Sequence, residues 1–282
     1  MKTILVPTDF SPNAARAIDY AVQLARKNNA TLLLVHACDH IDNLGLEAGF
    51  PKAAYNKQVA DEAFANLEVI RQSIEDTEKI TVKTELYGGP VVDTVLAAAE
   101  EYQPDIIIMG TMGITSLRDR IFGTNTSAVI KRSTVPVLAI PLEYDWRIPR
   151  CLLLAVNKLE EATNKTQPLF DLAAAFGAEV HLVVFTDESS AEVVDFAGDE
   201  NTIRQAEEEL QKKYPGLTIR AVHLGGRYFE ESINDYITSI GADMLAMITH
   251  KRTFLESLFN RSLTRMMSYH AHVPVFAIPV TG

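Results

Sequence analysis

The strongest chemical signal in the chain is a spacing of glycines. Gly110 and Gly113 are followed, after the nine residues Ile114 to Phe122, by Gly123-Thr124-Asn125-Thr126, a G-x-x-G-x9-G-[ST] pattern. Glycine lets main chain approach a ligand with no Cβ in the way. Gly123, Thr124 and Asn125 offer successive backbone N–H groups at a helix start, where the helix dipole favours phosphate. Thr124 and Thr126 add hydroxyl donors. The spacing matches neither G-x-x-x-x-G-K-[ST] nor G-x-G-x-x-G. A second element, Pro7-Thr8-Asp9, sets a carboxylate directly after the apolar run Ile4-Leu5-Val6. Taken singly, each residue has a plainer role as a turn glycine or as a carboxylate capping the helix that Ser11 opens. Together, they point to a cradle for a phosphate group.

The elements that must position these loops alternate strand and helix. Thr3–Val6 is a short buried strand. Ser11 and Pro12 are an N-cap and first helical residue, and Ala14, Ala17, Ile18, Ala21, Val22, Leu24 and Ala25 recur at helical spacing. Thr31–Ala37 is a second strand, 38–52 a loop, and Ala53 to about Thr77 a long helix. Thr81–Tyr87 is a strand, Val91–Tyr102 a helix, Ile106–Met109 a buried strand, Thr126–Lys131 a short helix and Val137–Ile140 a last strand. Continuous apolar strands joined by helices imply a parallel sheet covered on both faces, and right-handed crossovers make it doubly wound. Such sheets bind ligands at the carboxyl ends of strands where strand order reverses. The loops after the first and fourth strands, Pro7–Ser11 and Gly110–Thr126, are therefore the place for a site.

The order repeats. Ile4–Asp9 aligns with Leu152–Asn157 and Ala30–Val35 with Ala178–Val183, both at an offset of 148. Asp105 aligns with Asp243 and Val135-Pro136-Val137 with Val273-Pro274-Val275, both at 138. A duplication with one longer segment between residues 38 and 80 explains the steady offsets, and a repeat of this length means two domains. Strands are expected near 151–156, 180–185, 217–223, 244–248 and 275–278, with Leu142–Arg150 as the linker. In the second copy Gly110, Gly113 and Gly123 become Ile248, Lys251 and Arg261, Thr124 becomes Ser262, and Pro7 and Asp9 become Ala155 and Asn157. Bulky side chains then stand where main chain must meet phosphate. His250-Lys251-Arg252 with Arg261 is either a small anion pocket or a solvated basic loop.

The chain resembles the universal stress protein family over its whole length, as two tandem copies. In that family the glycine spacing after the fourth strand marks ATP-binding members, and a P-x-D element follows the first strand. The resemblance implies a nucleotide-binding domain at 1–143 and a degenerate one at 150–282, each a five-stranded, doubly wound parallel α/β sheet of the adenine nucleotide alpha hydrolase type. It implies that Asp9, in Pro7-Thr8-Asp9, meets the nucleoside end and that main chain near Ala37 meets adenine. Met109 and Gly110 would line the nucleotide, with Gly113, Gly123, Thr124 and Asn125 around phosphate. The ligand is then ATP, with Mg2+ carried on its phosphates and no dedicated metal ligands. In the family the last strand pairs across a two-fold axis, so an intramolecular pseudo-dimer is expected, with a homodimer of whole chains as a further possibility. The implied function is a nucleotide-responsive regulatory module in stress response that acts on an unknown protein partner. The alternatives are a slow ATPase, with Arg118 or Arg120 assisting at the phosphates, and a scaffold that binds no nucleotide.

Composition bounds these options. The 282 residues are 47% hydrophobic and 22% charged, as in globular chains. A net charge of −11, from 26 basic and 37 acidic residues, disfavours general binding to nucleic acid or an anionic membrane. The opening MKTILVPTDFSP is not expected to be a secretion signal, and a cytoplasmic setting is expected. Cys38 and Cys151 form no C-x-x-C pair, so neither a disulfide framework nor a thiolate zinc site is expected. His270-x-His272 has no evident third ligand, and Met266-Met267 reads as packing.

Overall fold

Strand and helix alternate from Thr3 to Ile140 and again from Cys151 to Thr249 in the computed structural model, which describes residues 1–38, 52–111, 123–156, 166–187, 196–249 and 272–279. The described residues form two compact units divided after Leu142. The first runs β1 (Thr3–Pro7), α1 (Pro12–Asn28), β2 (Thr31–Cys38), α2 (Lys52–Glu78), β3 (Val82–Gly88), α3 (Val91–Tyr102), β4 (Ile106–Gly110), α4 (Thr124–Arg132) and β5 (Val137–Ile140). The second runs β6 (Cys151–Val156), α5 (Gln167–Phe176), β7 (Glu179–Asp187), α6 (Phe196–Lys213), β8 (Ile219–Gly226), α7 (Phe229–Ile240), β9 (Met244–Thr249) and β10 (Val275–Pro279).

Within the first unit the strand order is β3-β2-β1-β4-β5, and within the second it is β10-β9-β6-β7-β8. The pairings that join these neighbours are parallel. Each unit is the doubly wound α/β sheet expected from its apolar strands. Ile4, Leu5, Leu32, Leu33, Leu34, Ile106 and Ile107 are fully buried or nearly so, as strands covered on both faces must be. Strand order reverses between β2 and β4 on either side of β1. The β1–β4 pairing ends at Leu5↔Ile107, short of the carboxyl end of β1.

The duplication is visible bond by bond. Asp105 Oδ2 accepts from the main-chain N–H groups of Lys2 and Thr3 at the start of β1. Asp243 Oδ2 accepts from those of Arg150 and Cys151 at the start of β6, at 2.7 and 3.1 Å. The same carboxylate thus ties the start of the strand that follows it, β4 or β9, to the start of the central strand in both copies. The segment expected as a linker is packed at Tyr144, which is buried and donates to the Asp243 carbonyl. Arg147 pairs with Asp243 at 2.8 Å, and the Trp146 ring meets Phe176 at 5.9 Å.

Boundaries differ where side chains replace the expected signal. Helix α4 begins at Thr124, two residues before its expected start at Thr126, because Gly123 is the N-cap and the polar Thr124 and Asn125 form the first turn. Strand β8 begins at Ile219 rather than 217, since the Gln211 carboxamide holds the Leu217 carbonyl and the Ile219 N–H. The 38–52 loop and the Met266-Met267 pair lie largely or wholly outside the described residues. At the start of α1, Ser11 Oγ accepts from the Ala14 N–H at 3.2 Å, with Pro12 as first helical residue. Ser11→Ala is expected to cost about 1 kcal/mol, read as a lower urea midpoint with an unchanged slope.

Candidate functional site

Where strand order reverses in the first unit, one cavity opens at the carboxyl ends of β1, β2 and β4. Pro7, Asp9, Ala37, Met109, Gly110, Gly123, Thr124 and Asn125 all line it. Gly113, Arg118 and Arg120 lie outside the described residues. The amino-terminal turns of α1, α3 and α4 complete the wall, through Ser11, Val91, Thr94, Val95 and Thr126 among others. Three helix starts around one cavity give it a positive field at each.

The loop after β1 is held by a chain of short-range bonds. The Thr8 N–H donates to the Val35 carbonyl at 2.9 Å. Thr8 Oγ1 accepts from the Phe10 N–H at 3.1 Å, and Asp9 Oδ1 from the Ser11 N–H at 3.0 Å. Asp9 is therefore half engaged as a turn carboxylate, with Oδ2 left for other contacts. Phe10 sits at φ 61, in the left-handed region that a bulky residue rarely adopts. Its ring stacks on His36 at 4.6 Å, and His36 Nδ1 lies 2.7 Å from the Thr8 carbonyl. The carbonyl can only accept, so Nδ1 carries the proton there.

The end of β2 presents main chain. Val35 accepts from Thr8 on the β1 side and Cys38 accepts from Gly89 on the β3 side. Alternation along a strand then turns the Ala37 N–H and C=O toward the β1 side. The register with β1 has already ended at Pro7↔Val35. A donor and an acceptor side by side, facing a cavity, suit the edge of a planar heterocycle.

The glycine loop departs from expectation in three particulars. The Gly123 N–H donates to the Thr111 carbonyl, so it is not available to a ligand. The Thr126 hydroxyl donates to the Gly110 carbonyl at 2.8 Å and is buried, so it ties β4 to α4 instead of facing solvent. A Cβ on Gly110 would stand 2.7 Å from the Asn13 carbonyl oxygen and 2.9 Å from its carbon. Glycine is required at 110 by the close approach of α1, whatever occupies the cavity. The amides of Thr124 and Asn125 remain at the open end of α4, where a helix has no acceptors of its own.

His36, Val91, Thr94 and Val95 line the cavity without having stood out in the sequence. The Gly89-Pro90 turn at the carboxyl end of β3 was the available signal, since it feeds α3 back over the sheet at the same end. Cys38, the last residue of β2, is 2% exposed.

A sequence profile of the universal stress protein family matches residues 1–141 and again residues 150–279. The chain belongs to the universal stress protein family. A universal stress protein of Mycobacterium tuberculosis is 22% identical over 288 residues, spanning 96% of this chain and 95% of the relative. One from Methanocaldococcus jannaschii is 30% identical over 154 residues, which is 49% of this chain and 94% of the relative. The crystal structure of a universal stress protein from Archaeoglobus fulgidus has the same fold at a TM-score of 0.74 and 18% identity, covering 98% of this chain and 96% of that one.

The second universal stress protein unit differs at the corresponding positions. Ile248 stands in β9 where β4 has Gly110, and it is buried. An isoleucine there precludes the main-chain approach that Asn13 makes in the first unit. Ala155 replaces Pro7 at the end of the central strand. Asn157, His250, Lys251, Arg252, Arg261, Ser262 and His270 lie outside the described residues. No described helix is long and apolar enough to cross a membrane.

Proposed function

We propose that the first unit binds ATP and that the chain acts as a nucleotide-responsive regulatory module in stress response, with the second unit as a partner domain that lacks the cradle. The observation that carries this is the convergence of Pro7, Asp9, Ala37, Met109, Gly110, Gly123, Thr124 and Asn125 on one cavity at the strand-order reversal. The Ala37 main chain faces the adenine edge, Asp9 the nucleoside, and the first turn of α4 the phosphates. Mg2+ travels with the phosphates, since the cavity offers Asp9 as its one carboxylate among the described lining residues.

Those lining residues include no lysine or arginine to neutralise charge on a transferring phosphoryl group. Asp9 Oδ1 is already taken by the Ser11 N–H. Binding that shifts conformation therefore fits the cavity better than rapid turnover. ATP at a hundredfold excess over Kd stabilises the bound unit by about 2.7 kcal/mol. Mass spectrometry of nucleotide released from purified protein, with a thermal shift in ATP-Mg2+, tests this. An adenine nucleotide and a raised Tm are expected. No nucleotide and no shift would leave a scaffold, while steady ADP production lost in Asp9→Asn would make the chain an enzyme.

A further inference from the structure

A second cluster of chemically active side chains lies in the other unit, at the amino-terminal ends of β6 and β7. Cys151 opens β6 and is directly opposite Glu179 in the parallel register. His181 follows Glu179 by two residues, so all three side chains project from one face of the sheet. One atom from each, Cys151 Sγ, a Glu179 carboxylate oxygen and a His181 ring nitrogen, lies within 4.8 Å of the others. Cys151 and His181 are buried, and Glu179 is partly open to solvent.

His181 gives the cluster its direction. Its Nδ1 is 2.8 Å from the Tyr236 hydroxyl, presented by α7. Its Nε2 is buried, is 3.5 Å from Glu179 Oε1 and has no hydrogen-bond partner among the described residues. An imidazole anchored through one nitrogen, with the other left bare beside a thiol and a carboxylate, has the form of a metal-ligating histidine and its outer-shell partner.

We propose that Cys151, Glu179 and His181 bind one divalent transition metal of the zinc type, with water as the fourth ligand and Tyr236 as a positioning residue. A sulfur, nitrogen and oxygen set selects such an ion over Mg2+ or Ca2+. Tetrahedral bonds of about 2.0–2.3 Å hold donors roughly 3.5 Å apart, so the three side chains need only close by about an ångström. Burial, followed by the charges of Glu179 and Asp243, pushes the Cys151 thiol up to about 12. Metal entry displaces that proton. Arg220, paired across from His181 on β8, is the nearby cation, and its charge opposes metal entry. The bound ion would pin β6 to β7 at the amino-terminal end of the sheet.

Cobalt(II) titrated into the full-length chain is the probe. One equivalent is expected to give a thiolate-to-cobalt charge-transfer band that zinc(II) bleaches. Cys151→Ser should remove the band and Cys38→Ser should keep it. His181→Gln and Glu179→Gln should each weaken cobalt binding at least tenfold, and Tyr236→Phe by about 10–100-fold. Zinc should raise the Tm of the wild type and not that of Cys151→Ser. No band in the wild type, or a band that survives in Cys151→Ser, would overturn the site. If Cys151→Ser does not fold, the wild-type band and its weakening in His181→Gln decide the matter.

Discussion

Gly123→Val is expected to weaken ATP binding by about 100-fold, which is about 2.7 kcal/mol, while leaving the fold in place. Gly123 caps α4 at φ −58 and ψ 161, a conformation that any residue adopts. Valine therefore strains no backbone there, and its cost as an N-cap is about 1 kcal/mol. The residue lines the cavity beside Thr124 and Asn125. Its own N–H is engaged by Thr111, so the variant loses no ligand contact from position 123 itself. What it loses is room, because two methyl groups stand where phosphate must reach the next two amides. Calorimetric titration with ATP-Mg2+ and a urea midpoint for the same sample separate the two effects. Unchanged affinity would place the phosphates elsewhere.

Gly110→Val is expected to have the opposite profile, a large loss of stability whether or not nucleotide is present. The new Cβ would lie 2.7 and 2.9 Å from two main-chain atoms of Asn13. Those atoms belong to the first turn of α1 and cannot swing aside as a side-chain tip would. Overpacking of this kind costs about 1–3 kcal/mol, and valine should fall at the upper end, with a Tm lowered by roughly 10 °C. Gly110→Ala carries the same Cβ and should be destabilised in the same direction. A wild-type Tm for the alanine variant would mean that α1 and β4 are not held this closely.

These two glycines show how far the sequence could be read. The strands were legible because parallel strands buried on both faces are unbroken apolar runs, as in Leu32–Val35 and Ile106–Ile108. The place of the cavity followed from topology and from the glycine spacing. The separate reasons for each glycine did not, because spacing cannot distinguish close approach by a ligand from close approach by Asn13. Val91, Thr94 and Val95 stayed hidden because cavity lining of that kind looks like core. The Cys151, Glu179 and His181 set stayed hidden because strand pairing brings it together, and no local motif announces it.

The left-handed Phe10 has a consequence for how a ligand would be met. Forcing an aromatic residue to φ 61 costs about 1–2 kcal/mol, and the His36 stack with the Thr8 carbonyl bond holds it there. That expense falls on folding and is already settled when a nucleoside arrives. Asp9 and its neighbours form a prearranged rim, so capture there should proceed without a slow adjustment and with little entropy left to surrender.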